Sequence, residues 1–317
     1  MAGTVFVFGS INADTSYRMA SLPGAGETVI ASAASTSPGG KGANQAIAAA
    51  VAGARVHMIG VVGEDADAPA LLESLEARGI DTASIAGRPG ATTGRAVVYV
   101  DDSGENSIVV LSGANELLDA EIAADGLASL SAGDVLVLQN EVPASANRAA
   151  AALARSAGAT VIWNAAPAPR SRDDLVADVD LLVVNEHELA QIAGILTIPV
   201  PGSAPTPPRL VELLADTAAA LDTDAICTLG ADGAIYVVAG EVGSIPAPAV
   251  RAIDTTAAGD TVVGYLAAHT ALPLLERIRL ATSAGALTVT REGASSSIPP
   301  LADVELMLAG LTERTTA

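Results

Sequence analysis

Hydrophobic and polar positions follow two alternating periods along this chain. Short apolar runs, typical of strands buried on both faces, occur at Thr4–Phe8, Arg55–Val61, Asp134–Leu138, Thr160–Trp163, Leu181–Val184, Ile226–Leu229 and Ala234–Val238. Stretches of helical period occur at Gly42–Val51, Ala66–Arg78, Ala144–Ala157, Asn185–Ala193, 258–270, 273–290 and 300–312. This order predicts an α/β fold with a mostly parallel sheet and helices on both faces. We expect a single domain over residues 1–317.

Two segments, at about 15–37 and 93–112, lack helical period and alternate as strands do. The second holds apolar runs at 97–100 and 108–110 around a polar turn, which predicts a hairpin. Together the two segments predict a small β layer outside the main sheet that could serve as a lid. Residues 196–208 contain five prolines and predict an irregular surface loop.

Composition narrows the possible partners. The chain has 317 residues, of which 50% are hydrophobic and only 2% aromatic, so Ala, Val, Leu and Ile must fill the core. Its net charge of −20 argues against nucleic-acid and anionic-membrane partners, which need a basic surface. The single cysteine, Cys227, rules out an internal disulfide and favours a reducing, cytoplasmic setting. We expect neither a signal peptide nor a membrane span.

Residues 254–260 read Asp-Thr-Thr-Ala-Ala-Gly-Asp and carry the strongest chemical signal. A β-type approach, Pro248–Ile253, precedes them, and a helical pattern follows. The small residues Ala257, Ala258 and Gly259 would let backbone N–H groups converge on an anion at the start of that helix. Asp260 places a carboxylate beside this anion hole, as phosphoryl transfer to a hydroxyl requires. The alternative is an Asp N-cap after a glycine turn.

A second signal is the glycine-rich segment 39–44, Gly-Gly-Lys-Gly-Ala-Asn. Lys41 is the only lysine in the chain, whose other fifteen basic residues are arginine. Glycines allow close approach of the backbone to a ligand, although this spacing is not that of a Walker loop. The alternative is a glycine-rich turn with a solvated lysine.

Motifs spread in order along nearly the whole chain resemble the ribokinase branch of the PfkB carbohydrate kinase family. They are Gly9–Asp14, Pro38–Gln45, Gly104–Asn106, Gly113–Asn115, Glu141 after a strand, Asn164–Pro167, Asn185–Glu188, Thr228–Gly233 and Asp254–Asp260. The resemblance implies a ribokinase-like three-layer sandwich, with a mostly parallel central sheet and a small β-sheet lid. It also implies ATP-dependent phosphorylation of a sugar, with the 5-hydroxyl of D-ribose as the first choice.

The resemblance further implies a role for each matching residue. The sugar would be bound by Asn12, Asp14, Gly40, Lys41, Gly42, Asn44, Glu141 and Asp260. Short amides and carboxylates suit paired hydroxyls, because they accept or exchange two hydrogen bonds. For Asn12 and Asp14 the alternative is an Asx-turn at a strand end, and for Glu141 a solvated acid.

On the nucleotide side, the resemblance places Asn185 and Glu188 near the phosphates and Mg²⁺, largely through water. A helix cap formed by the same pair is an alternative that can hold at the same time. The nucleotide itself would contact Thr228, Gly230, Asp232, Gly233 and Gly259. Departures from the family pattern occur at Val262, Tyr265 and Thr282, and they concern nucleotide binding more than phosphoryl transfer.

The resemblance also implies a monovalent-cation site, for K⁺, beside the anion hole. Its ligands, mainly backbone carbonyls, would come from Asp254, Thr256, Thr288, Arg291, Gly293 and Ser297. A bound cation there would order the loop that carries the anion hole.

Asp260 would act as general base in a direct in-line transfer, while N–H groups of 257–260, Lys41 and Mg²⁺ stabilise the phosphoryl charge. The remaining alternatives are a kinase for another pentose, a ketohexose or a nucleoside, and a non-catalytic sugar-binding regulator. The shortage of aromatic residues, with Tyr17 and Tyr99 nearest the lid, favours a free sugar over a nucleoside. A homodimer through the lid is expected, with sugar and ATP as the other partners.

Overall fold

The computed structural model describes residues 3–102, 106–200 and 207–315. Its strands are β1 (Val5–Phe8), β2 (Asn12–Met19), β3 (Ala33–Gly39), β4 (Val56–Gly63), β5 (Asp81–Arg88), β6 (Gly94–Asp101), β7 (Asn106–Leu111), β8 (Val135–Gln139), β9 (Thr160–Asn164), β10 (Leu181–Asn185), β11 (Asp224–Thr228), β12 (Ala234–Val238) and β13 (Glu241–Ile245). Its α-helices are α1 (Lys41–Val51), α2 (Ala68–Glu76), α3 (Ala120–Gly126), α4 (Ala144–Ala157), α5 (Glu186–Ile195), α6 (Pro207–Leu221), α7 (Ala258–Ala268), α8 (Leu274–Thr288) and α9 (Leu301–Thr315).

The main sheet has the strand order β13-β12-β11-β10-β9-β8-β1-β4-β5. Strands from β11 through β5 run parallel, and β12 is antiparallel to both of its neighbours, β11 and β13. Since parallel strands share one direction, their carboxyl ends meet along one edge of the sheet, where ligands bind in open α/β folds. The polar motifs found in the sequence follow these carboxyl ends.

Helices cover both faces of the main sheet. Val5 and Val7 of β1 belong to a core with α1, α2, α7, α8 and α9, while Phe6 and Phe8 belong to the opposite core with α3 to α6. The alanine-rich sequence of α1 permits a close approach to α7, where a Cβ added at Gly264 would lie 2.4 Å from the Cβ of Ala48. The expected three-layer sandwich is therefore confirmed.

The smaller sheet has the order β3-β2-β6-β7 and overlaps the two segments predicted to form a lid, although β2 begins before the first segment and β3 ends after it. Its β2–β3 and β6–β7 pairs are antiparallel, and β2 pairs with β6 in parallel. The hairpin tip, with Gly104 and Glu105, lies outside the described residues. β2 begins directly after the β1 turn and β3 leads into α1. Since Asn12 pairs with Gly39, these two connections lie at the same end of the sheet, and that end adjoins the carboxyl edge of the main sheet.

The structure corrects several expectations about local structure. Residues Pro248–Ile253 form no strand and instead border a cleft, because Pro246 and Pro248 carry no N–H for a strand ladder. Four further elements, β5, β13, α3 and α6, were not predicted. Helix α6 begins at Pro207, inside the proline-rich segment, since a helix tolerates proline in its first turn. Residues 201–206 of that segment lie outside the described residues.

Across 3–102, 106–200 and 207–315, no helix combines the length and apolar character that a membrane crossing requires.

Candidate active site

Asp260 lies in the first turn of α7, at the carboxyl edge of the main sheet. Its carboxylate is buried, with 6% of the residue exposed. Oδ2 accepts a hydrogen bond from Nδ2 of Asn44, and Oδ1 accepts one from Nε2 of Gln45, both at 3.0 Å. Two side chains of α1 therefore hold one carboxylate of α7, although they stand more than two hundred positions apart in the sequence.

The backbone before Asp260 turns sharply into α7. Ala257, the residue before the helix, has φ of 59°, in the left-handed region that non-glycine residues rarely adopt. N–H groups in the first turn of a helix have no partner within the helix, and they carry its positive partial charge. These features are those of a helix start that can bind an anion, and the anion hole at residues 257–259 stays a prediction.

A cavity of about 210 Å³ adjoins this helix start. It brings together several residues predicted from distant motifs: Lys41, Asn185, Glu188, Thr228, Ala257, Gly259 and Asp260. Ala258 faces a larger neighbouring cleft instead. The cavity thus joins one cationic side chain, two carboxylates and a helix N-terminus, a combination that can bind a phosphate and deprotonate a hydroxyl.

Lys41 begins α1 directly after Gly40, whose φ of 86° suits glycine. Asp260 raises the pKa of the Lys41 ammonium most strongly, Glu141 and Glu188 add to the rise, and burial opposes it. Its backbone N–H donates to Glu141 Oε2 at 2.9 Å. Lys41 is therefore held charged among three acids rather than in open solvent.

Asp14, predicted to bind the sugar, lies close enough to Glu141 and Asp260 for their charges to act on its carboxyl group. Burial, with help from the charges of Glu141 and Asp260, raises the pKa of Asp14 to about 7. Among the described residues, Oδ1 of Asp14 and Oδ1 of Asn44 are buried without a hydrogen-bond partner. Buried acceptors usually have partners, so these two oxygens are free to accept hydrogen bonds from the hydroxyl groups of a ligand. At Gly39 any Cβ would lie 1.8 Å from Asp14 Oδ2, so glycine keeps this space for the carboxylate.

Supporting side chains orient the other two predicted sugar ligands. Asn115 Nδ2 donates to Asn12 Oδ1 at 2.8 Å, which turns the amide nitrogen of Asn12 to its other side. Ser10 Oγ donates to Glu141 Oε2 at 2.6 Å and accepts from the N–H of Gly42 at 3.1 Å. The turn after β1 thereby fixes both the glycine-rich segment and the Glu141 carboxylate.

A cleft of about 600 Å³ opens on the other side of the anion hole. Thr228, Gly230, Gly233, Ala258 and Gly259 line it, and Gly259 and Thr228 also line the smaller cavity. Among the described residues that line the cleft none is aromatic, and most have small side chains. Its size, and the wall that it shares with the smaller cavity, suit a nucleotide.

Not every predicted nucleotide residue faces this cleft. Asp232 is exposed in the short turn beside it and is absent from its lining. Thr282 lines the cleft, but its hydroxyl donates to the Ile278 carbonyl at 2.8 Å and so satisfies its own helix. Tyr265 of α7 is fully buried, and its hydroxyl donates to the Pro299 carbonyl at 2.8 Å. This tyrosine, which departs from the family pattern, is thus accommodated in the core and does not line the nucleotide-sized cleft.

Asn185 and Glu188 combine a capping role with a place in the cavity. Asn185 Oδ1 accepts from the N–H of Glu188, and Glu188 Oε2 accepts from the N–H of Asn185, each at 2.8 Å. Burial raises the pKa of Glu188, while the N–H of Asn185 and the charge of Lys41 oppose that rise. The capping box uses one oxygen of Glu188, so its second oxygen remains to receive a hydrated divalent cation.

The segments predicted to bind a monovalent cation meet at Asp254. Its Oδ1 accepts from the N–H and hydroxyl of Thr256, at 2.9 and 2.6 Å, and its Oδ2 accepts from the N–H of Gly293 at 2.9 Å. The Thr288 carbonyl accepts from the N–H of Arg291 at 3.1 Å, and Ser297, in the same stretch of sequence, is buried. Oxygen ligands from two adjoining turns suit a hard cation.

Within the described ranges, no cluster of three or more His, Cys, Asp or Glu side chains has the arrangement of a metal site.

The structure adds four polar residues that were not predicted as site residues: Ser10, Gln45, Asn115 and Asn164. All four are buried. A signal was present in the sequence, since Gln45 interrupts the apolar face of an alanine-rich helix and Asn164 ends an apolar strand. Their partners could not be known without the tertiary structure.

A nucleotide-sized cleft, an anion hole and a buried carboxylate facing a polar pocket define the class: a phosphotransferase for small hydroxyl compounds. Residues 2–301 match the family model described as pfkB family carbohydrate kinase, and the chain belongs to this family.

Similar proteins cover nearly the whole chain. The ribokinase of Schizosaccharomyces pombe is 35% identical over 314 residues, which span 95% of this chain and 96% of that protein. The ribokinase of Haemophilus influenzae is 37% identical over 303 residues, which span 94% and 96%. The structure of Arabidopsis thaliana ribokinase complexed with ribose and ATP superposes with a TM-score of 0.85, at 29% identity, over 97% of this chain and 99% of that one.

Proposed function

We propose that this chain is an ATP-dependent ribokinase, which transfers the γ-phosphoryl group of ATP to the 5-hydroxyl of D-ribose. The observation that carries the proposal is the position of Asp260, whose buried carboxylate lines the smaller cavity directly after Gly259, a residue that this cavity shares with the nucleotide-sized cleft. Ribose is favoured over other sugars because the relatives at 35% and 37% identity are ribokinases over nearly their full length.

In the proposed reaction, Asp260 accepts the proton of the 5-hydroxyl while that oxygen forms a bond to the γ-phosphorus. The bond from the γ-phosphorus to the oxygen that bridges it to the β-phosphate breaks, and ADP leaves with the electron pair. N–H groups at the start of α7 and the ammonium of Lys41 stabilise the charge of the transferring group. A neutral acid at position 260 could not take up the proton.

The sugar hydroxyls would be held by Asn12, Asp14, Asn44 and Glu141, with Gly40 and Gly42 allowing close contact. The unpartnered buried oxygens of Asp14 and Asn44 support this assignment. Mg²⁺ would be held through water by Asn185 and Glu188, and it supplies positive charge for the phosphates when bound. We also propose the cytoplasm as the site of action, on the strength of the single buried thiol, Cys227.

An assay of ADP release across a panel of acceptors tests the function directly. The panel contains D-ribose, 2-deoxyribose, another pentose, a ketohexose and a nucleoside. We expect ribose to give the highest kcat/KM. A higher value for another acceptor would move the proposal to that kinase, and ATP turnover indifferent to all acceptors would favour a non-catalytic sugar-binding regulator.

We expect K⁺ to raise kcat/KM at saturating Mg²⁺ and Na⁺ to do so less. A cation bound between the turns at 254–256 and 288–297 would order the loop that carries the anion hole, and so orient its N–H groups. The measurement compares matched KCl, NaCl and tetramethylammonium chloride, because general screening treats the salts alike. Asp254→Asn, which weakens the link to Gly293, should reduce the preference for K⁺. Equal rates in all three salts would contradict the cation site.

We expect a homodimer formed through the smaller sheet. Its edge strand β7 exposes four consecutive apolar side chains, Ile108, Val109, Val110 and Leu111, each more than half exposed. An exposed apolar edge of this kind invites pairing with a second sheet. Sedimentation at micromolar concentration should show a dimer, and Val109→Lys should shift it towards monomer. The surface substitution Leu306→Lys, on α9, serves as control. A wild-type monomer at that concentration would count against the interface.

A further inference from the structure

The amide of Gln45 connects Asp260 to the backbone of the main sheet. Gln45 is fully buried in α1, and its Nε2 lies 3.0 Å from both Asp260 Oδ1 and Asn164 Oδ1. Asn164 ends β9, and its Nδ2 donates to the carbonyl of Val183 in β10 at 3.0 Å. A continuous chain of hydrogen bonds thus runs from the sheet to the carboxylate.

The Val183 carbonyl, at the sheet end of this series of hydrogen bonds, sets the direction of each hydrogen bond in it. The Val183 carbonyl can only accept, so Asn164 directs its NH₂ group to Val183 and its oxygen to Gln45. Gln45 must then present its own NH₂ group, with one hydrogen for Asn164 and the other for Asp260. The opposite orientation would bring the Gln45 oxygen against two other oxygens. Gln45 is therefore a donor to Asp260, and a donor favours the ionised form of a carboxylate.

This arrangement leaves Oε1 of Gln45 buried and, among the described residues, without a hydrogen-bond partner. An unpaired buried acceptor costs stability. Helix packing alone would not require it, because the neighbouring buried positions of α1, Ala46, Ile47 and Ala48, are apolar. Asn44, the buried residue before Gln45, also donates to Asp260, but the Gln45 amide donates both to Asp260 and to Asn164 at the end of β9.

We infer that Gln45 is a positioning residue for phosphoryl transfer, which holds the Asp260 carboxylate in one orientation, with Asn164 setting the direction of the bond. This inference rests on the proposed function, in which Asp260 takes the proton. The charged groups that also face Asp260 are Lys41 from α1, Asp14 from β2 and Glu188 from α5. Gln45 acts differently from these groups, since it orients the carboxylate without changing the net charge.

The test compares wild type, Gln45→Met and Gln45→Glu by kcat and KM at saturating ATP and sugar, over about pH 5 to 9. For Gln45→Met we expect kcat at neutral pH to fall about tenfold, with KM for the sugar within about twofold. The pH of half-maximal kcat on the acid side should move up by about one unit. Gln45→Glu, which adds a negative charge beside Asp260, should move it further in the same direction.

Thr217→Val provides a matched control. Thr217 is fully buried in α6, and its hydroxyl donates to the Leu213 carbonyl at 2.7 Å, on the opposite face of the sheet. Its loss should lower Tm without moving the pH profile. If the Gln45 variants lower Tm but keep the wild-type pH profile of kcat, Gln45 has only a structural role. Where Gln45→Met folds poorly, the nearly isosteric Gln45→Glu still distinguishes the two roles. Absence of wild-type turnover with every acceptor would instead overturn the proposed function itself.

Discussion

Asp260→Asn should reduce kcat for ribose phosphorylation by about 10²–10⁴-fold, the usual loss when a positioned general base is removed. The amide is similar in shape to the carboxylate but cannot take up the hydroxyl proton. Because Asn44 and Gln45 both donate to this side chain, the amide NH₂ group must face one of those donors. Sugar and ATP should still bind, since the pocket, the anion hole and the cleft are otherwise unchanged. Turnover and calorimetric binding of each ligand separate these two effects.

Asp260→Ala provides the companion variant, because it removes both the base and the conflict between facing NH₂ groups. Asp216→Asn, an exposed substitution on α6, is the control for the loss of one negative charge. A kcat near that of wild type in either Asp260 variant would remove this residue from the mechanism. A parallel loss of binding would show instead that the pocket had collapsed.

Asp14→Asn should have opposite effects on stability and activity. The folded-state pKa of about 7 lies above the ordinary value of 3.8, so Asp14 destabilises the fold progressively as pH rises from about 4 to 7, and fully above that range. The variant should therefore be more stable than wild type at pH 8, by on the order of 1–3 kcal/mol, and no more stable near pH 4. Unfolding by urea at the two pH values measures this difference.

The same substitution should lower kcat/KM for ribose by about 10–100-fold, because a charged acceptor for a sugar hydroxyl is lost. Most of that loss should be in KM, since Asp14 does not take the proton. For the same reason, wild-type KM for ribose should rise as pH falls below about 7. A variant with normal KM and no gain in stability at pH 8 would contradict the placement of Asp14 as a buried sugar ligand.

Local sequence signals were sufficient for much of the fold. Consecutive apolar residues identified the central strands, because strands of a parallel sheet are buried on both faces and need no alternation. The edge strands β5 and β13 were missed, since half-exposed positions weaken that signal. Helix α6 was missed because its first turn contains two prolines. The segment at Pro248–Ile253 had strand-like composition, but it found no neighbouring strand to pair with.

The sequence by itself determined the class of this protein and predicted an anion hole at residues 257–259, because the geometry of residues 254–260 depends mainly on small side chains adjacent in the chain. Its ordered motifs also predicted that Lys41, Asn185 and Glu188 lie together, and all three line one cavity. Only the tertiary structure decided how the carboxylates are held. Gln45, Asn164 and Asp260 come from three distant elements, and the pKa of Asp14 depends on burial and on the charges of Glu141 and Asp260. Burial and long-range hydrogen bonds arise from packing, so no single segment of the chain contains them.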